Sequence, residues 1–314
     1  MLFYCAIIEW RNVYLSLSSY QIANMNMNIN ITNFTDEFFE RLANFRLDKQ
    51  EKADLNFIIH KNKHIQLPQG KLIAEHETSY IKWLQNNPPT EGYSLYMQDF
   101  DSEDIFALVN IPTNWDNCSI TCYDYSDEDE NTVQMIEDLL YYGLHVMIGI
   151  VFRYRLLEYR GIVVHASGIK WRDKGILFSA PSGTGKSTQA GLWHEHMEDT
   201  VILNDDTPAL RFVGDKPYIF GSPWSGSTDI NCNDAVPLSA VILLEQAPEN
   251  QIISLNTEQA LPLFLPRFFL PYFDQHMLEQ ALTICSDILS SVPIYLLRCR
   301  PDFEAVELVK QCLT

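Results

Sequence analysis

The stretch Gly161-Ile-Val-Val-His-Ala-Ser-Gly-Ile-Lys-Trp-Arg-Asp-Lys-Gly-Ile-Leu-Phe-Ser-Ala-Pro-Ser-Gly-Thr-Gly-Lys-Ser187 decides the fold. Residues 161–169 and 175–179 are apolar and β-branched enough to read as strands, and only the short segment 170–174 separates them. A parallel pair needs a crossover of about a dozen residues or more, so these two strands must run antiparallel. Directly after them, 180–187 reads as a phosphate-binding loop with Ala180 where the pattern usually has its first glycine, and a helix follows over 188–197. In such a loop Gly183 and Gly185 let backbone N–H groups turn onto a phosphate chain, while the helix offers its positive end to the same anion. The predicted nucleotide-binding residues are therefore Ser182, Gly183, Thr184, Gly185, Lys186, Ser187 and Thr188. Lys186 would reach the β and γ oxygens of ATP, and the Ser187 hydroxyl would ligate Mg²⁺.

Next comes an apolar strand over 200–206 that ends in Asp205-Asp206. Carboxylates at the end of the strand beside such a loop can hold Mg²⁺ and accept a proton from an attacking hydroxyl, although Asp205-Asp-Thr-Pro208 is also a good turn sequence. His165 sits among valines and Ala166 in the strand before the loop, where a lone histidine is ordinarily a core residue; the neighbouring motifs make it a catalytic candidate. Farther on, Gly221 and Gly226 bracket Trp224, Ser222 and Ser225, a flexible frame holding a flat apolar surface and several hydroxyls. Trp224, Ser225 and Gly226 are the candidates for acceptor or nucleotide contact, against a structural turn with a buried tryptophan. Strand alternation over 293–300 puts Arg298 and Arg300 on one face, where either could neutralise phosphate oxygens or simply blunt an exposed edge.

The order of strand with histidine, short hairpin, phosphate loop, helix and strand ending Asp-Asp resembles the catalytic domain of the HPr kinase/phosphorylase family, whose fold is shared with phosphoenolpyruvate carboxykinases. The residues that carry the resemblance are Arg160-Gly-Ile-Val-Val-His165, Ser182-Gly-Thr-Gly-Lys-Ser187 and Asn204-Asp-Asp206. It implies an α/β, mixed-sheet P-loop kinase domain, preceded here by a smaller α+β domain. It also implies an ATP- and Mg²⁺-dependent kinase acting on a hydroxyl, such as a serine of a peptide or protein. Lys186 would contact phosphate, Ser187 and Asp206 would hold metal, Asp205 would take the hydroxyl proton, and His165 would tune that carboxylate. The later signature tied to hexamers and to the reverse phosphorolysis is not recognisable; Phe220-Gly-Ser-Pro-Trp-Ser-Gly-Ser227 stands in its place and is similar to HPr-kinase-related proteins. A nucleotide-binding sensor without transfer chemistry and a sugar-type kinase on the same fold are the alternatives. A general P-loop ATPase or GTPase fits less well, because of the antiparallel hairpin and the lack of an Asn-Lys-x-Asp guanine reader.

The remainder of the chain bounds these readings. Its 314 residues are 46% apolar and 12% aromatic, enough for a large core, which excludes disordered, collagen-like and disulfide-stapled classes. Twenty-two basic against 41 acidic side chains give a net charge of −19, so nucleic acid and anionic membrane surfaces are not expected partners; a nucleotide, a hydroxyl-bearing acceptor and another copy of the chain are. The seven cysteines are scattered and read as reduced thiols. The apolar residues 1–8 read as a strand rather than a leader, and the longest apolar tract, 146–152, is far short of a bilayer span, which gives a cytoplasmic expectation.

Two domains are expected: a small α+β domain over 1–130 with no identified task, and a P-loop domain over 131–314 entered by a long helix over 132–159. Strands are predicted at 23–31, 55–60, 94–97, 105–109 and 119–123, and helices at 36–47 and 75–86. Farther on, the pattern predicts a buried strand at 237–244 and helices at 274–289 and 302–312. Nine of the thirteen glycines lie between Gly161 and Gly226, which places the close backbone approaches there.

Overall fold

The computed structural model describes residues 15–32, 36–75, 81–98, 104–226 and 228–313, so the expected strand at 1–8, Cys5 and Ser227 lie outside it. The chain is α/β with two sheets. Strands β1 (Leu15–Ile22) and β2 (Met25–Thr32) form a hairpin whose turn residues Ala23 and Asn24 both have positive φ, the geometry that suits the right-handed twist of two strands. The predicted strand therefore starts two residues late. Its alternation holds, with Met25, Met27, Ile29 and Ile31 buried.

A kinked 3-10 segment, Asp36–Phe45, replaces the expected helix there and leads to β3 (Leu55–Asn62), which lies parallel to β2. Then come β4 (Gly70–Glu75), β5 (Ile81–Asn86), β6 (Tyr93–Gln98), β7 (Ile105–Ile111) and β8 (Asn117–Tyr123), giving the order β1-β2-β3-β8-β7-β6-β5-β4. Of the helix expected at 75–86, residues 76–80 lie outside the described residues, and no helix forms over 81–86. Residues 81–86 are instead a strand paired with β6 in the register Ile81↔Met97 and Trp83↔Leu95, because pairing and burial of Ile81 and Trp83 outweigh local propensity.

Helix α1 (Glu130–Arg155) is capped by Asp129, whose carboxylate accepts from the backbone N–H groups of Asn131 and Thr132. Part of the acidic run 127–130 is thus a helix start. After a 3-10 turn, Leu156–Tyr159, the second sheet begins with β9 (Gly161–Val163), β10 (Ala166–Trp171) and β11 (Lys174–Ser179). Helix α2 (Lys186–His196), β12 (Thr200–Asn204), β13 (Ala209–Val213), β14 (Lys216–Phe220) and β15 (Ala235–Gln246) follow. The chain ends with β16 (Gln251–Leu255), α3 (Thr257–Phe264), α4 (Gln275–Ser291), β17 (Ile294–Cys299) and α5 (Phe303–Leu313).

The second sheet is mixed. Strands β10 and β11 are antiparallel, as the short connection requires, while β15 runs parallel to both β11 and β17. The segment read as one strand over 161–169 is two. β9 pairs with β13 and β10 with β11 and β12, and the chain changes neighbours at His165, whose N–H donates to the Arg267 carbonyl at 2.8 Å.

One face of the second sheet shares a continuous apolar core with the first sheet and α1; the other is covered by α2 and α5 around Phe178, Trp193, Ala305 and Val309. Among the described residues, Glu130–Tyr159 is the one span long and apolar enough to cross a membrane. More than half of its most apolar window is buried inside the protein, where α1 packs on both β7 and β9.

Trp193 is fully buried on the inner face of α2, against Trp171 and Phe178. Trp193→Ala is expected to cost about 3–5 kcal/mol through the cavity it leaves. Urea unfolding should show the lower midpoint at an unchanged slope.

Candidate functional site

The loop 180–185 leaves the end of β11 and turns into α2 through Gly183 and Gly185, whose φ angles of +76° and +114° lie in the region where glycine is favoured. A Cβ on Gly183 would meet nothing within 4 Å, so backbone conformation alone selects glycine at that position. The loop is braced from outside by Gln246 at the end of β15, whose side-chain amide donates to the carbonyls of Gly183 and Thr184 at 3.4 and 3.3 Å. Ser182, Ser187 and Thr188 are exposed and Thr184 half-buried, while Lys186, the first residue of α2, is buried at 7% exposure. Burial lowers the Lys186 pKa, Asp206 raises it, Arg267 lowers it and Asp205 raises it, in that order of size. The loop lysine and the paired carboxylates therefore share one electrostatic neighbourhood.

The carboxylates face different surroundings. Asp205 is buried and accepts from the Ser167 hydroxyl at 2.8 Å. Asp206 is partly exposed, and its Oδ1 stands 3.4 Å from His165 Nε2. The expectation that His165 tunes Asp205 is thus corrected. Beyond Asn204 the chain leaves β12, so the two side chains no longer follow the strand, and the outward one meets the histidine.

Asn204 carries the turn. Its Oδ1 accepts from the N–H groups of Asp206 and Thr207 at 2.8 and 2.6 Å, and its Nδ2 donates to the carbonyl of Ser222, the hydroxyl of Ser222 and the carbonyl of Trp224. Thr207 Oγ1 also donates to the Trp224 carbonyl, and Ser222 Oγ to that of Thr207. The glycine-bracketed loop is therefore fixed to the Asp-Asp turn. Gly226, at φ +66°, comes so close that a Cβ there would lie 3.1–3.2 Å from the Asp206 side chain.

Trp224 is partly buried. Its indole N–H donates to the His145 carbonyl at 2.8 Å, and its ring lies 4.9 Å from that of Phe152. Ser225 is buried and accepts from Asn231. Trp224, Ser225 and Gly226 line, together with Asp206 and Thr207, a cavity of about 580 Å³ whose far wall is α1.

Arg298 in β17 and Arg300, which lies just past the strand's end at Cys299, do not join this group. Arg298 is paired with Glu245 at 3.1 Å. Arg300 is held by Asp302 and Glu304 and lines a separate cavity of about 400 Å³ together with Gly183, Gly185 and Thr188 of the glycine loop and the start of α2.

Sequence reasoning missed Arg267. It follows Pro266 in an apolar segment that offered no charge pattern, yet its field reaches Lys186 and its Nε is buried with no hydrogen-bond partner among the described residues. It also missed Asn204 as an organiser and α1 as a wall of the site. The six described cysteines are unpaired; burial pushes the thiols of Cys118, Cys122 and Cys285 up to about 12, which keeps them protonated.

Among the described residues no three His, Cys, Asp or Glu side chains gather into a metal site. Mg²⁺ does not require one, because it binds through one or two carboxylates and completes its shell with phosphate oxygens and water. The exposed Ser187 hydroxyl and the Asp206 carboxylate fit that donor set.

A Cβ at Gly149 would stand 2.4 Å from Trp224 Nε1, so Gly149→Ala must push the indole off α1. Loss of the hydrogen bond to His145 and strain of about 1–3 kcal/mol are expected, read by near-UV circular dichroism beside Trp224→Phe. His145 itself is buried, which with the nearby Arg41 charge lowers its pKa to about 4, against a smaller raising effect of Asp229. The unfolded chain binds that proton from about pH 6.5 downward, so stability should fall as the pH drops from about 6.5 to 4, by up to about 3 kcal/mol. His145→Leu should flatten that part of a melting profile against pH.

No curated protein matches the sequence. Among solved structures, the HPr(Ser) kinase/phosphatase from Coxiella burnetii is similar at 12% identity and a TM-score of 0.29, over 48% of this chain and 86% of that one. The family described as SynChlorMet cassette protein ScmC matches residues 120–304, a span that runs from β8 to the start of α5 and takes in α1, the phosphate loop, the Asp-Asp turn and the Trp224 loop. More than half of the sequence lies inside that match, and the chain belongs to the ScmC family.

Proposed function

We propose that this protein is an ATP- and Mg²⁺-dependent phosphotransferase acting on a hydroxyl acceptor. The observation that carries the reading is a shared neighbourhood: the buried Lys186 at the end of the phosphate loop feels the charges of Asp205 and Asp206, and Asp206 also lines a separate cavity. A donor on one side and an acceptor on the other would meet at that carboxylate.

In the proposed step the acceptor oxygen forms a bond to the γ-phosphorus, and the bond from phosphorus to the β,γ-bridging oxygen breaks. ADP leaves with that electron pair. The hydroxyl proton passes to Asp206. Asp206 takes the role first given to Asp205, because it is partly exposed, lines the acceptor cavity and has His165 beside it, whereas Asp205 is buried and its Oδ1 is already taken by Ser167. Asp205 instead fixes the turn and contributes negative charge near Lys186.

Ser187 and Asp206 would hold Mg²⁺, which supplies positive charge to the phosphate oxygens. Lys186, Arg267 and the loop N–H groups would share the charge on the transferring group, so that the chain's contribution is placement and electrostatics. The cavity lined by Gly183, Gly185 and Arg300 is where the nucleoside would extend. On this reading residues 1–130 form a domain whose task at the site is to close the acceptor side through Arg41, and the protein works in the cytoplasm on a nucleotide and a hydroxyl-bearing small molecule, peptide or protein.

Lys186→Met is expected to weaken binding of a fluorescent ATP analogue at least about tenfold, since it removes a charge-assisted contact. Asp206→Asn should slow ATP-dependent phosphorylation by ~10²–10⁴-fold, the range for losing a general base, and should also loosen analogue binding where that binding depends on Mg²⁺. Asp205→Asn should act mainly on stability. A larger transfer defect in Asp205→Asn than in Asp206→Asn would return the proton to Asp205, and tight nucleotide binding without any variant-sensitive turnover would favour a sensor.

A further inference from the structure

The cavity beside Asp206 has a chemistry that narrows what it can take. Its volume of about 580 Å³ is that of a small-molecule site, and its walls are Val146, Gly149, Val163, Trp224 and Phe269. Into this largely apolar space the chain sets Arg153 from the last turn of α1, with its guanidinium 4.5 Å from the centroid of the Phe269 ring and 5.8 Å from that of Tyr154. Among the described residues Arg153 makes no hydrogen bond and no ion pair. Arg160, Arg172, Arg298 and Arg300, by contrast, all pair with carboxylates. The Arg153 side chain is half-buried, and burial lowers its pKa, as expected for a cation with no anion beside it. A second guanidinium, that of Arg41, lines the same cavity and is only loosely paired, 3.7 Å from Asp229. The nearby His145 is kept neutral by its burial and adds no charge at neutral pH.

We infer that the acceptor is a small hydroxy acid: its carboxylate is received by Arg153, its apolar or aromatic body lies between Trp224 and Phe269, and its hydroxyl is presented to Asp206. The inference rests on the phosphotransferase reading for the fate of the hydroxyl, but the anion site stands on the cavity alone. A planar guanidinium backed by an aromatic ring matches a carboxylate in two parallel hydrogen bonds, which a neutral sugar cannot supply. The transfer is the one already written, with ATP as donor, so the product is the O-phosphorylated acid and ADP. The same arginine could receive a phosphate monoester in place of a carboxylate; the shared chemistry is a compact anion, and the test separates the two.

The test uses the full chain with Mg²⁺ and a non-hydrolysable ATP analogue, and measures calorimetric binding of 3-phenyllactate, N-acetyl-L-serine and N-acetyl-L-threonine, each beside its methyl ester, with phenyl phosphate, which has no carboxylate, as the phosphate arm. At least tenfold tighter binding of the acids than of their esters is expected, and Arg153→Lys should remove most of that preference while leaving analogue affinity unchanged. Arg153→Met serves as a second variant, with its melting temperature checked so that a folding defect is not read as lost binding. Acids that bind no better than esters, or a preference indifferent to both Arg153 variants, would overturn the proposal; tighter binding of phenyl phosphate than of any carboxylate would replace the carboxylate with a phosphate. Failure of the kinase reading looks different: acid preference and Arg153 dependence would persist, with no phosphorylated acid found by mass spectrometry when ATP replaces the analogue.

Discussion

The side-chain amide of Asn204 is fully buried and meets five partners, two N–H groups of the Asp-Asp turn and three oxygens of the Ser222–Trp224 segment. Its two ends face opposite chemistry, and that polarity is what joins β12 to the loop after β14. An aspartate of the same shape would bring a carboxylate oxygen against the carbonyls of Ser222 and Trp224 and leave them without a donor in a buried place. The loop so fastened carries Trp224 onto Gly149, and α1 thereby becomes a wall of the cavity. The position of Asp206, the shape of the cavity beside it and the docking of α1 all depend on one amide in one orientation.

The second half of the chain was legible because its signals are local. A hairpin too short to cross over, two glycines with positive φ and a lysine at a helix start can be read from adjacent residues, and β10, β11 and α2 form as those residues require. That the Asp-Asp pair would lie near the loop lysine was legible, and the different surroundings of its two carboxylates were not. Which carboxylate turns outward depends on where β12 ends and on the hydrogen bonds of Asn204, both of which are tertiary. Arg267 and Arg153 were invisible for a related reason: each lies in an apolar run and gains meaning only from what the fold brings beside it. In the first half, the stretch 75–86 deceived because Ile81, Trp83 and Leu84 satisfy a helical pattern as well as an alternating one, and only pairing with β6 decides between them.

The two sheets also differ in how they use α1. Positions such as Ile136, Leu140 and Leu144 are buried in the core shared with β7, while Gly149, Arg153 and His145 look toward the cavity. A helix that must serve two sheets cannot keep a wide polar face. This explains a composition apolar enough to pass for a membrane span, and it leaves Arg153 as a deliberate exception in an otherwise greasy surface.

The brace that Gln246 places on the carbonyls of Gly183 and Thr184 bears on energetics as well as shape. Gln246 ends β15 where it pairs with Cys299 of β17, so the bend of the loop is tied from behind to the sheet. A polyphosphate settling there would find its amides already assembled and would spend little of its attraction on ordering the backbone. Rigidity supplied from behind the cradle, by a residue that never touches the guest, is in that sense part of the guest's affinity.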